Sequence, residues 1–303
     1  MIKSIAPDSI PVAQLHRLIL GAVAPRPIAF ASTIDKNGIP NLSPFSFFNA
    51  FGVNPTTLIF SPSRRGRDNT NKHTYENIKE IPEVVINVVN YEMVQQMSLS
   101  SCEYPKGVNE FEKSGFTALA SQKIRPFRVK ESPVQFECKV RQVIETGDGG
   151  GAANLVICEI LMIHVHDGIL DENGIPDPNK IRLIGRHTGD FYVKAFGESL
   201  FVVEKPAAKL GIGIDSLPFK IKNSKILTGN NLGQLGNCEK FPSSDEIAKV
   251  AALHQVEEII NSHKRNIDVL EGEIQILAKN WLDEGRVKDA FCVLMIETKD
   301  FID

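Results

Sequence analysis

The stretch IAFASTIDKNGIPNLSPFSFF, residues 28–48, decides the fold, because two apolar, β-prone runs flank Asn37-Gly38. Asn-Gly supplies the left-handed backbone that a tight hairpin turn needs, so the stretch predicts two antiparallel strands. Further strands are predicted at 56–61 (TTLIFS) and at 83–90 (EVVINVVN), the second apolar on both faces. A succession of hairpins with few helices favours a mainly β fold, an antiparallel barrel or sandwich, over a doubly wound sheet.

The segment SPVQFECKVRQVIETG, residues 132–147, alternates with period two and predicts a half-buried strand. Its expected apolar face holds Val134, Phe136, Cys138, Val140 and Ile144, with Gln142 as the exception, and its expected polar face holds Gln135, Glu137, Lys139 and Arg141. The following GDGGG lacks the spacing of a dinucleotide loop and opens no helix, so we interpret it as a hairpin turn into the next strand, LVICEILMIHVHDGIL.

Helices are predicted at both ends of the chain. The first is a short helix within residues 8–27, with Ser9 as its cap, Pro11 just inside and Gly21 at its end. Two weak helices are expected at 91–100 and 109–114.

The sequence changes from strand-like to helical patterns after about Pro206, which predicts a domain over residues 1–206 and a C-terminal helical extension over 207–303. Ser243 and Glu246 form a capping-box pattern. Two apolar stripes follow, which we interpret as packing faces: Ile247, Val250, Leu253, Val256 and Ile260, then Ile267, Leu270, Ile274, Leu277 and Trp281. Gly285 is expected to end the second helix, and residues 287–298 to form a last one.

The composition is that of an ordinary globular protein, with 303 residues, 42% of them hydrophobic, and a formal net charge of −3. Nucleic-acid binding requires a strongly basic face, so no such partner is expected. No apolar run reaches the roughly 18 residues of a membrane span, and the first residues lack a signal-peptide pattern. We expect a cytoplasmic protein with reduced thiols at Cys102, Cys138, Cys158, Cys238 and Cys292.

Metal binding is not predicted. His164 and His166 lie two apart on a predicted strand and so face the same side, but no third ligand is near them in sequence.

Cations are concentrated in SPSRRGRDNTNKHTYENI, residues 61–78, where Arg64, Arg65, Arg67 and Lys72 precede a predicted short helix. Cations and hydroxyls before a helix N-terminus are typical of an anion site. A solvated surface loop is the alternative, and the charge run alone does not decide between them.

The block from residue 25 to 78 closely resembles the flavin reductase-like family, whose fold is an FMN-binding split β-barrel. The resemblance rests on Arg26-Pro27-Ile28, Ser32-Thr33, NLSPFSFFN at 41–49, Asn54-Pro55 and Lys72-His73-Thr74 with Asn77-Ile78. Later pieces fit in order, among them IGRHTGDFY at 184–192, so that the resemblance covers about residues 10–206.

The resemblance implies an antiparallel split barrel, a homodimer and a set of FMN-binding residues. The implied set is Arg26, Ser32, Thr33, Asn41, Ser43, Pro44, Phe45, Ser46, Ser61, Arg64, Arg65, Lys72, His73 and Thr74. The phosphate candidates are Arg64, Arg65, Lys72, His73 and Thr74, and Thr74 is also expected to cap the following helix. Pro44 is expected to break the pairing of its strand, because it has no N–H, and to free backbone groups for the flavin ring.

The implied function is an FMN-dependent oxidoreductase, most simply an NAD(P)H:flavin reductase in which the flavin carries the chemistry. Arg186 and His187 are the candidates on the nicotinamide side, where Thr188-Gly189-Asp190 interrupts a glycine pair that relatives often show. Two alternatives remain open: an FMN electron carrier of the flavoredoxin type that serves a protein partner, and a non-enzymatic scaffold that has lost the flavin.

Overall fold

The computed structural model describes residues 1–206 and 209–297. The chain divides into two compact units, Met1–Phe201 and Val202–Asp303, which are considered separately below.

Seven antiparallel strands form the main sheet of the first unit, in the order β2-β1-β5-β8-β9-β4-β3. They are β1 (Ala29–Ile34), β2 (Pro40–Phe45), β3 (Phe48–Val53), β4 (Thr56–Phe60), β5 (Glu83–Val88), β8 (Val134–Glu145) and β9 (Asn154–Val165). Two small ribbons pair β6 (Ala118–Leu119) with β7 (Arg128–Val129), and β10 (Ile184–Arg186) with β11 (Tyr192–Lys194). The predicted hairpin of β1 and β2 is confirmed, with Gly38 at a φ of 83° in its turn. The sequence reading missed β3.

The sheet curls on itself. β2 and β4 are separated by four strands in the sheet order, yet the rings of Phe45 and Phe60 lie 5.7 Å apart. One apolar cluster fills the interior, with members on β1, β2, β4, β5, β8 and β9. The predicted antiparallel barrel is thereby confirmed, and it is split because β2 and β3, the two ends of the sheet order, do not pair.

Short helices cover the outside of the barrel: α1 (Val12–Ala22), α2 (His73–Glu80), α3 (Val94–Leu99), α4 (Glu110–Ser114) and α5 (Pro178–Ile181). Single 3-10 turns lie at Pro7–Ser9, Tyr91–Met93, Asp167–Ile169 and Gly197–Ser199. A second apolar cluster packs α3 and α4 against the outer face of β1 and includes Phe30, Leu42 and Phe111.

Two helix starts differ from expectation. α1 begins at Val12, and the Ser9 hydroxyl donates to the Ala6 carbonyl at 2.6 Å, so it does not cap the helix. α2 begins after Lys72 without a side-chain cap, because Thr74, which was expected to cap it, is the second residue of the helix. The Thr74 hydroxyl instead donates to Asn41 Oδ1 at 2.8 Å.

The alternation predicted for β8 is wrong beyond Val140. Arg141 is an extra residue in the pairing of β8 with β9, which turns Val143 towards the core and leaves Ile144 exposed. Gln135 and Glu137, which were assigned to the polar face, are also buried. Both have hydrogen-bond partners there, because Gln135 Nε2 donates to the Ser132 carbonyl and Glu137 accepts from the Gln122 N–H.

The second unit is helical and has its own apolar core. Its helices are α6 (Phe219–Lys222), α7 (Gly229–Gly236), α8 (Ser244–Ala251), α9 (His254–His263), α10 (Ile267–Asp283) and α11 (Val287–Leu294). The capping box of Ser243 and Glu246 is confirmed. The first predicted stripe is divided between α8 and α9, because the chain leaves the helix at Ala252 and Leu253.

Candidate functional site

The cation loop, residues 61–72, joins β4 to α2 and is tied together by Arg64. Its guanidinium donates to Asn69 Oδ1 at 2.7 Å, to the Asn69 carbonyl at 2.7 Å and to Asn71 Oδ1 at 3.2 Å. Asn69 adopts a left-handed φ of 57°, which brings its carbonyl and its side chain to the same guanidinium. Arg64, predicted as a phosphate contact, is thus engaged in shaping the loop.

The turn between β8 and β9 holds the cation loop from one side. The Arg64 N–H donates to the Ala152 carbonyl at 3.0 Å, the Gly151 N–H donates to the Arg64 carbonyl at 3.1 Å, and Asn69 Nδ2 donates to the Asp148 carbonyl at 2.8 Å. GDGGG is therefore the predicted hairpin turn, and in addition it fixes a loop more than 75 residues earlier in the chain.

Glu103, on the segment between α3 and α4, faces the remaining cations. Its Oε1 lies 3.3 Å from Arg65 Nε and 3.8 Å from Lys72 Nζ, and its Oε2 pairs with Arg67. Burial, and then Arg65, lower the pKa of Lys72.

Asp68 is the second carboxylate of the cluster. It accepts from the Thr70 hydroxyl at 2.7 Å and from the Thr70 N–H at 3.0 Å, and these bonds lower its pKa to about 2. With Arg64 included, four cations stand against two carboxylates, so the cluster keeps two positive charges in excess.

His73 and Thr74 begin α2 but differ in accessibility. His73 is half-buried, and burial followed by the charge of Arg65 lowers its pKa, which favours the neutral ring. Thr74 is buried and bonded to Asn41, whose Nδ2 donates to Glu110 Oε1 at 2.9 Å. Asn41 and Thr74, predicted to meet the cofactor, thus belong to a buried polar chain that ends on Glu110.

Ser32 and Thr33 are fully buried on β1. Asn77 Nδ2 donates to Thr33 Oγ1 at 3.1 Å, which fastens α2 to the barrel. Ser32 Oγ has no hydrogen-bond partner among the described residues.

The end of β2 provides accessible predicted residues. Ser43, Pro44 and Ser46 are half-buried, whereas Phe45 points into the barrel core. Pro44 pairs in register with Phe30 and does not break the ladder, contrary to expectation. Among the described strands, β2 pairs with β1 alone, and the Leu42 N–H donates away from β1, to Glu110 Oε2 at 3.0 Å. Pro44, two residues further, lies on that same outward side, where β1 needs no donor.

Arg26 and Ser61 are buried connectors. The Arg26 guanidinium donates to the Leu20 and Val23 carbonyls at the end of α1, to the His187 carbonyl at 3.0 Å and to Ser46 Oγ at 3.4 Å. Ser61 Oγ accepts from the Asn154 N–H at 3.1 Å, at the base of the cation loop.

Arg186 and His187 lie next to the buried Arg26, because Arg26 and Arg186 form a backbone bridge. The Arg186 guanidinium lies 4.6 Å from the centre of the Tyr192 ring and donates to the Phe191 carbonyl at 2.9 Å. His187 Nδ1 accepts from the Thr188 N–H at 2.8 Å. Both predicted nicotinamide contacts therefore have partners within their own hairpin.

The remaining chemical groups lie elsewhere. Glu137, fully buried, accepts from the N–H groups of Gln122 and Lys123 and pairs with His164 Nε2 at 2.7 Å. Across residues 1–206 and 209–297, no three His, Cys, Asp or Glu side chains are grouped as a metal site would require. Burial raises the pKa values of the Cys138 and Cys158 thiols, and no described helix is long and apolar enough to cross a membrane.

Sequence reasoning missed Glu103 and Gly150 as parts of this region, and it placed Asn69 and Asn71 in the cation loop without foreseeing that they bind Arg64. Glu103 lies more than 30 residues after Lys72, and no local pattern connects a lone glutamate to the loop. The two asparagines carried a usable signal, because Asn in a short polar loop favours turns that bond back to the chain.

Comparison with known proteins identifies the family of the first unit. Residues 21–179 match the family model described as a flavin reductase like domain. An uncharacterized protein of Aquifex aeolicus is 45% identical over 184 residues, which cover 61% of this chain and 91% of that protein.

Two solved structures are similar at 26% identity. Nitrilotriacetate monooxygenase component B from Bacillus cereus has a TM-score of 0.62, covering 67% of this chain and 99% of that one. The 2-nitrobenzoate 2-nitroreductase NbaA of Pseudomonas fluorescens has a TM-score of 0.59, and the match covers 67% of this chain and 96% of that chain. The family match ends before the helical unit begins.

Proposed function

This chain belongs to the flavin reductase-like family, and on that premise we propose that it binds FMN and reduces it with NADH or NADPH. The similar structures, named as a nitroreductase and as a monooxygenase component, support a flavin-linked redox role. When bound, FMN supplies the hydride chemistry, while the protein binds and orients it and limits competing reactions.

The observation that carries this proposal is the excess of two positive charges in the cluster formed by the cation loop and Glu103, on a loop whose shape is already fixed. The phosphate of FMN carries about two negative charges at neutral pH, so the charges match. Arg64, Asn69 and the β8–β9 turn hold the loop in place, which spares the cost of ordering it when a ligand binds.

Arg65, Lys72 and His73 are our proposed phosphate contacts, because each is half-buried beside the first turn of α2. The first amides of that helix add donors for an anion. Ser43 and Ser46, on either side of Pro44, would meet the ring with their hydroxyls and backbone carbonyls.

The test is a titration of the flavin-free protein with FMN and with riboflavin, which lacks the phosphate. A charged contact is worth about 1.5–3 kcal/mol, so one such contact alone predicts at least a tenfold preference for FMN. Equal affinities would remove the assignment of the cation loop.

The electron donor is a separate question, because Arg186 and His187 are both bonded within their hairpin. That observation favours the second candidate, an FMN electron carrier that serves a protein partner. Rapid mixing of the FMN-loaded protein with NADH and with NADPH discriminates between the two functions. Fast bleaching of the flavin supports the reductase, and no reaction with either nucleotide supports the carrier. A colourless protein that takes up no flavin would instead be a scaffold.

A homodimer is proposed from the exposed apolar side chains of α1 and of β3. α1 has no buried residue, and Leu18, Ile19, Phe51 and Val53 are between 44% and 89% exposed. An apolar surface of this kind marks an interaction site in a water-soluble unit. Sedimentation at micromolar concentration tests it, and a monomer would contradict it.

A further inference from the structure

Glu103 is the one carboxylate that touches three of the four loop cations within the described residues. Its two oxygens contact Arg65, Arg67 and Lys72, and its side chain is 37% exposed, so it is not locked in the core. It lies on an irregular segment between α3 and α4, which is also fastened to α2 by an ion pair between Lys106 and Glu76 at 2.8 Å.

The cation loop keeps its shape through groups other than Glu103. Arg64 binds Asn69 and Asn71, and Asn69 binds the β8–β9 turn. Glu103 thus neutralises the exposed Arg67 and the half-buried Arg65 and Lys72 without building the loop. Arg65 is itself held within the loop, because it also donates to Thr70 Oγ1 and to the Asn71 carbonyl.

We propose that Glu103 is an internal competitor for the phosphate subsite, one that occupies its cations when no flavin is bound and yields them to the flavin phosphate. This inference rests on the proposed function. A carboxylate and a phosphate make the same charge-assisted bonds to guanidinium and ammonium groups. The phosphate carries about two charges and the carboxylate one, so the phosphate prevails while part of its binding energy goes into displacing Glu103.

The competition affects only flavins that carry a phosphate. Glu103→Gln keeps the size of the side chain and removes its charge, so FMN should bind more tightly and riboflavin should not. The loss of Glu103 also leaves three cations to repel one another, which opposes this gain. We expect tighter FMN binding to outweigh this repulsion, because Arg64 and the β8–β9 turn hold the loop in shape without Glu103. Exposed ion pairs are individually weak, so we expect the loss of all three to increase the affinity for FMN roughly tenfold.

The experiment measures the dissociation constants of FMN and riboflavin for the full-length protein, for Glu103→Gln and for Glu76→Gln. Glu76 is the matched control, because it lies in the first turn of α2 but pairs with Lys106 rather than with the loop cations. Glu103→Ala is a second variant that should behave like Glu103→Gln. It removes the charge as well, and it leaves no polar group in place of the amide that glutamine would provide.

We expect roughly tenfold tighter FMN binding for both Glu103 variants, with riboflavin unchanged, and a much smaller change for Glu76→Gln. FMN affinities within twofold of the parent would overturn the inference, as would an equal gain in the Glu76 control. If the parent protein itself binds FMN no better than riboflavin, the proposed phosphate site fails, and this inference fails with it. A parent that prefers FMN and a Glu103→Gln variant that matches it would refute the inference alone.

Discussion

Gly150 offers a sharp test of how the candidate site is held. A Cβ at this position would lie 3.1 Å from the Gly66 carbonyl oxygen, 3.2 Å from that of Arg65 and 3.3 Å from Gly66 Cα. All three are backbone atoms of the cation loop, which cannot swing aside as a flexible side chain would. A Cβ at Gly149, in the same turn, has no neighbour within 4 Å, so Gly149→Ala is a matched control.

The expected cost follows from two opposing effects. Replacing glycine by alanine stabilises a protein by about 0.4–1 kcal/mol through the unfolded chain, and both variants receive this gain. Overpacking against close neighbours costs about 1–3 kcal/mol, and only Gly150→Ala incurs it. The two variants should therefore differ by about 1–3 kcal/mol in the free energy of unfolding, with Tm lower in Gly150→Ala by about 2–4 °C per kcal/mol.

FMN binding should follow the same order. A loop displaced by a few tenths of an ångström carries Arg65 with it, so Gly150→Ala should bind FMN about three- to tenfold more weakly and riboflavin unchanged. Thermal denaturation and quenching of flavin fluorescence measure the two effects. If Gly150→Ala matches Gly149→Ala in both Tm and FMN affinity, the turn does not hold the loop and the reasoning is wrong.

Three further predictions concern other parts of the chain. Lys72→Ala should weaken FMN binding by roughly tenfold and leave riboflavin unchanged, whereas the exposed Lys130→Ala should do neither; equal effects would mean that Lys72 is only solvated. Leu270→Asp places a charge in the core of the helical unit and should cost several kcal/mol of stability, measured by denaturant unfolding, while the exposed Val269→Asp should be nearly neutral and the flavin spectrum should persist in both. Burial opposes the ionisation of Glu137, but hydrogen bonds from two backbone N–H groups and a histidine outweigh it and lower its pKa. The contribution of Glu137 to the free energy of unfolding is therefore fully present above its unfolded pKa of about 4.3 and is lost as the pH falls through its folded pKa. A loss of stability at acidic pH that is as steep in Glu137→Gln as in the parent would contradict this.

The sequence predicted those parts of the fold that local patterns determine. Asn37-Gly38 fixed the first hairpin, and the apolar run in β5 marked a central strand. The strand β3 was missed because Gly52 and an extra residue between Ala50 and Gly52 interrupt its alternation.

The division of the helical stripe at Leu253 was missed for a different reason. Its spacing suits one long helix, whereas the chain turns there so that two shorter helices pack on the same core.

The candidate site shows a similar limit. Composition drew attention to the cation loop, but it could not show that Arg64 turns inwards to Asn69 while Arg65 and Lys72 stay half-buried near Glu103. Those roles depend on groups far away in the chain, since Glu103 and the β8–β9 turn come together only in the folded barrel.

The outward side of β2 also bears on how this protein behaves when it is concentrated. Pro40 and Pro44 have no N–H to offer there, and the N–H of Leu42, between them, is already taken by Glu110. A strand from another molecule needs both donors and acceptors to extend a sheet, and this border presents only acceptors. Fibril-like growth by strand addition is therefore blocked at β2, so the open side of the split barrel can stay accessible without becoming a template for polymerisation.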